Sequence, residues 1–143
     1  MLSEVGSRCG AVEECYEFML AYAAQGLRTD EGSKSGGQVR EFLQRAVKVL
    51  TGLAEVCTVA VREEGLEPAE KYAAFLAVLD RDSRDSLAAI ELVLAQAVIS
   101  SQLIDNLNAS IHLRALLTDL FLLDEILGKH VKAAELAVTN KGD

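Results

Sequence analysis

Residues Pro68–Ile99 read PAEKYAAFLAVLDRDSRDSLAAIELVLAQAVI. Tyr72, Phe75, Leu76 and Leu79 recur at helical spacing, and Ile90, Val93, Leu94 and Ala97 continue the same stripe. Ser83 and Ser86 occupy that stripe between its two halves, inside a run of charges from Asp80 to Asp85. Apolar residues that hold phase at about 100° per residue mark an amphipathic helix. The phase survives the charged run, so one helix is predicted, from the turn at Pro68 to about Ile99. Gly65 stops the segment before it, and a proline in the first helical turn costs no hydrogen bond. A helix this long with one apolar stripe buries it against neighbouring helices.

The flanking segments repeat the pattern. Toward the C-terminus a second helix is predicted from about Gln102 to Leu127, with Ser100-Ser101 as capping residues. Without a break there the two would fuse into a rod of about 90 Å, too long for an ordinary domain. Gly128 is expected to end this helix or kink it ahead of a short tail helix around Val131–Val138, with residues 139–143 frayed. Toward the N-terminus, Val39, Phe42, Leu43, Ala46, Leu50, Leu53, Cys57, Ala60 and Val61 form one stripe of a helix over Gln38–Glu64. Gly52 falls on its outer face, where it mildly weakens it. Leu27–Gly37, LRTDEGSKSGG, has no periodicity and reads as a flexible connector. It lacks the spacing of a phosphate loop, because Ser33 rather than glycine precedes Lys34 and a helix, not a strand, leads into it. The first helix covers about Ser7–Gln25, with Cys9, Val12, Cys15, Tyr16, Met19 and Ala23 inward. Four long helices with short connections predict an all-α, antiparallel up-down-up-down four-helix bundle, one domain spanning residues 1–143.

Composition agrees and narrows the function. The chain has 143 residues, half of them hydrophobic, with one proline and no tryptophan. A mean hydropathy of +0.20 argues against disorder. A net charge of -8 argues against nucleic acid and against an anionic membrane as partners, since both need clustered Lys and Arg. The stretch Leu107–Leu123 carries Arg114, Thr118 and Asp119, so no transmembrane span is expected. The N-terminal residues have no basic region followed by an apolar one, so no signal peptide is expected. Three cysteines without a CxxC spacing give no disulfide framework. Together these point to the reducing cytoplasm.

The last helix is apolar almost all round. Its polar stripe is narrow: Asp105, Asn108, His112 and Asp119. A helix of that kind is buried on more than one side. Homodimerisation would cover the surplus, with Leu113, Leu116, Leu117, Leu120, Leu123 and Leu127 as candidate interface residues. Leu113–Leu117 also matches an LxxLL docking pattern, but a leucine-rich helix matches it cheaply.

Folding the last two helices back at Ser100 brings Ser83 and Ser86 near Arg114 and Thr118. That predicts a mid-bundle polar layer in which Asp82 or Asp85 pairs with Arg114, because a buried arginine needs a partner. The layer is either a structural ion pair or a small anionic-ligand pocket anchored by Arg114. Cys9, Cys57 and Glu125 are predicted to face inward at one end, the only candidate metal set, but the Glu-x-x-His pairs of di-iron bundles are absent. No cofactor is implied. His112 and His130 fall on a polar face and in the tail, away from every cysteine, so no catalytic pair forms. The expected function is non-enzymatic: a cytoplasmic, self-associating interaction, accessory or assembly module, with a ligand-binding bundle as the alternative.

Overall fold

The computed structural model describes residues 2–141. Within them the chain is all-helical, with helices α1 (Leu2–Ala24), α2 (Lys34–Leu50), α3 (Leu53–Glu63), α4 (Ala69–Leu94), α5 (Ser101–Ala109) and α6 (Ile111–Lys141). The helices number six, not four, because two of the predicted rods are broken.

The first break separates α2 from α3 at Thr51-Gly52. Gly52 adopts φ +73°, ψ 11°, the left-handed conformation that glycine reaches without a Cβ penalty. Thr51 donates through both its N–H and its Oγ1 to the Val47 carbonyl, closing the end of α2. Leu50 and Leu53 on either side are both buried, so the apolar phase crosses the break unchanged and periodicity cannot detect it. Gly52 therefore ends a helix rather than weakening one.

The second break separates α5 from α6 at Ser110, which the periodicity had placed inside one continuous helix. Ser110 is extended at ψ 144°, and its Oγ accepts from the Leu113 N–H at 3.3 Å. The break expected at Ser100 is present: α4 stops at Leu94, and Ser100 Oγ accepts from the Leu103 N–H at 3.0 Å.

Two further boundaries differ from expectation. Gly128 does not end α6, which continues through the predicted tail helix and to Lys141. Residues 139–141 are helical, and 142–143 lie outside the described residues. The 27–37 connector is shorter than predicted: Ser33 caps α2, its Oγ accepting from the Gly36 N–H at 2.9 Å, so residues 34–37 are already helical.

The core draws on all six helices. Tyr22, Leu43, Leu50, Leu53, Leu79, Ile90, Ile104, Leu116 and Leu120 are its largest fully enclosed side chains. Helix α1 packs on α2, α3, α5 and α6, and α4 packs on α2, α3, α5 and α6. Among the described residues no helix is long and apolar enough to cross a membrane.

Candidate functional site

The α4–α6 seam is the place where polar residues and exposed apolar residues meet. Three contacts give its register. Ser86 Oγ donates to the His112 carbonyl at 2.9 Å at one end. Tyr72 Oη lies 3.3 Å from His130 Nε2 at the other. Between them the Asp82 carboxyl meets that of Asp119. Position rises along α4 as it falls along α6, so the two helices run antiparallel. Toward the Tyr72 end the seam opens into an apolar groove of about 340 Å³, lined by Pro68, Tyr72, Phe75, Leu122, Leu123 and Ile126 with Glu67 and Lys71 at its rim.

The predicted polar layer forms only in part. Ser83 and Ser86 are buried as expected. Ser83 Oγ finds no hydrogen-bond partner among the described residues. Arg114 and Thr118 are not in the layer. Both are exposed on α6, and Thr118 Oγ1 donates to the Arg114 carbonyl at 2.9 Å. Asp85 is exposed and Asp82 half-buried. The residue that faces Asp82 is Asp119, only 8% exposed, whose Oδ2 has no donor among the described residues. The break at Ser110 is the cause. It resets the direction of α6 relative to α5, so an arc drawn through one continuous helix no longer names the inward residues. Asn108, also placed on the outer stripe, is buried with both side-chain polar atoms unpartnered.

The acid pair has a definite electrostatic character. Burial, a hydrogen bond with Asp82 and the charge of Asp82 together push the Asp119 carboxyl up to about 7.

The six leucines proposed as an interface, Leu113, Leu116, Leu117, Leu120, Leu123 and Leu127, are all buried in the chain's own core. The large apolar side chains that α6 offers to solvent are instead Ile111 (74% exposed) and Leu136 (64%) toward its two ends and Phe121 (53%), Leu122 (50%) and Ile126 (36%) between them. The candidate metal set does not assemble. Cys9 and Cys57 are buried, but the Glu125 side chain is exposed, 4.0 Å from Lys129. Among the described residues no three His, Cys, Asp or Glu side chains gather as a metal site would need. Burial, then the nearby Cys57, Asp124 and Glu13, push the Cys9 thiol up to about 12, and burial pushes Cys57 up to about 11. Such thiols stay protonated at neutral pH and are poor nucleophiles.

A second polar cluster had no signature in the sequence. Asp30 Oδ1 accepts from the Ile99 N–H and Asp30 Oδ2 from Arg40 Nε, both at 2.8 Å. Arg40 also donates to the carbonyls of Leu94, the last residue of α4, and of Gln96 and Ala97 just beyond it. Tyr22 Oη donates to the Ile99 carbonyl at 2.6 Å, and Ser101 Oγ donates to the Tyr22 carbonyl at 2.6 Å. Burial by itself would raise the Asp30 carboxyl, but the hydrogen bonds from Ile99 and Arg40 outweigh it and hold the carboxyl below its usual value. The cluster clasps the 27–33 connector to the α4–α5 connector. Six of these seven bonds use a backbone atom, and those six join residues more than fifty positions apart, so residue type alone could not announce it.

Comparison of the chain with protein-family models, with curated proteins and with solved structures found no match in any of the three.

Proposed function

We propose that this protein is a non-enzymatic interaction module of the cytoplasm that self-associates through the α4–α6 seam and serves as an accessory or assembly factor. In this reading α2–α3 and α5–α6 each act as one broken rod of an antiparallel bundle. The observation that carries it is the exposed pair Leu122 and Ile126 on the apolar groove of Pro68, Tyr72 and Phe75, with the exposed Phe121 next to Leu122 in the chain. Contiguous apolar surface rimmed by charge marks association sites. A second copy is the favoured occupant, because a two-fold contact lets one strip cover its own counterpart. The alternative, a ligand pocket anchored by Arg114, has less support, since Arg114 is exposed while Ser83 and Ser86 are buried.

Sedimentation velocity at micromolar concentration tests the proposal. The wild-type chain is expected to run as a dimer and Leu122→Glu as a monomer with unchanged helical circular dichroism, because Leu122 is half exposed and its replacement leaves the core intact. A wild-type monomer throughout the micromolar range would overturn it.

A further inference from the structure

Helix α6 carries Ala115, Asp119, Leu122, Ile126, Lys129 and Ala133 at alternating spacings of four and three residues. That is the heptad spacing of a seam that packs against another helix. The order along the seam is small, acidic, apolar, apolar, basic, small. Reversed about its centre at Asp124, it becomes its own complement. Ala115 falls opposite Ala133, Asp119 opposite Lys129, and Leu122 opposite Ile126.

Three observations connect this pattern to the surface. Leu122 and Ile126 are exposed on the groove beside α4. Lys129 is largely exposed, 4.0 Å from Glu125, one turn away on the surface. Asp119 has the opposite problem: it is buried beside a second carboxyl, and its Oδ2 lacks a donor. A buried carboxyl without a donor carries a desolvation cost that a cation relieves. The crowding of two acids, which pushes the Asp119 carboxyl up to about 7, is what an incoming ammonium would remove.

Resting on the self-association proposed above, we infer that the second copy lays its α6 antiparallel into the α4–α6 groove, centred at Asp124, so that Lys129 of each copy reaches the Asp82–Asp119 pair of the other. Leu122 and Ile126 of the two copies then form the apolar centre, and the alanines let the helix ends approach. Each copy completes the other's acid pair. The arrangement is isologous and closes at two subunits.

A charge-reversal cycle read by sedimentation equilibrium tests it. Lys129→Glu is expected to weaken the dimer about tenfold or more, because a glutamate would face two acids. Adding Asp82→Lys to Lys129→Glu is expected to restore most of that loss, since the new lysine then meets the new glutamate across the interface. Lys48→Glu makes the same change in net charge on α2, away from the seam, and is expected to leave the constant unchanged. Loss of the exposed Glu125–Lys129 contact contributes little by itself. A wild-type dimer that ignores Lys129→Glu, or one that the double change does not rescue, overturns this pairing while leaving self-association standing. A wild-type monomer overturns both.

Discussion

At Gly36 the first turn of α2 lies against the backbone carbonyl of Asp30, and a Cβ there would overlap that carbonyl. The neighbour is backbone, and the Asp30 side chain is anchored by Arg40 and Ile99, so it has little room to yield. Gly36→Ala is expected to cost roughly 1–3 kcal/mol, the usual range for overpacking, read from the urea midpoint. A neutral substitution would mean that the connector is looser than the clasp implies. Asp119 makes a different residue-scale prediction. Its carboxyl is raised to about 7 in the folded chain against an ordinary 3.8 when unfolded. Between roughly pH 4 and 7 the folded state therefore holds a proton that the unfolded chain has released, so stability falls as pH rises through that window and levels off above it. Asp119→Asn cannot ionise and is expected to flatten this slope. Thermal melts at pH 5 and pH 8, at concentrations low enough to keep the chain monomeric, measure it, and parallel profiles for the two proteins would refute the assignment. Neither residue was legible in advance. Gly36 was one of three glycines in a connector, and Asp119 had a surface address on an ideal helix.

At the scale of elements, the breaks decide which side chains face in. Gly52 interrupts a helix without disturbing its apolar phase, and this is why the pattern alone joined α2 to α3; at Ser110 the buried face shifts, from Ile104, Leu107 and Asn108 to Leu113, Leu116 and Leu120, with no glycine or proline to mark it. A serine after Asn108-Ala109 was the available signal for the second break, since Ser110 caps α6 much as Ser100 caps α5. Gly128 misled in the other direction. It sits in the interior of α6 with open space where a Cβ would stand. Gly128→Ala is expected to stabilise the protein by about 0.5–1 kcal/mol, the ordinary cost of glycine in a helix interior. A higher thermal midpoint would agree, and a lower one would show that α6 needs glycine there. The boundaries at Gly65–Pro68 and Ser100 were readable because each combines a stop with a start: a glycine followed by a proline in one case, a pair of serines in the other.

For the whole molecule, the surplus of hydrophobic residues is divided between a core and a strip. Most of the leucine of α6 closes the chain's own interior, and what remains outside at the middle of the helix is Phe121, Leu122 and Ile126, with Ile111 and Leu136 toward its ends. The self-association and charge-reversal experiments described above belong to this scale, because they ask whether that remainder meets a second copy. The sequence by itself determined the helical class, the position of the long α4 and the cap at Ser100, because periodicity, proline placement and capping are local and need no knowledge of neighbours. Tertiary structure alone decided that Asp119 rather than Arg114 meets Asp82, that Asp30 clasps two connectors, and that the interface leucines are core. Those outcomes depend on how α6 leaves α5 at Ser110 and on which residues distant in the chain it then touches. A change in direction at one residue moves every later side chain, and no window of local sequence records it.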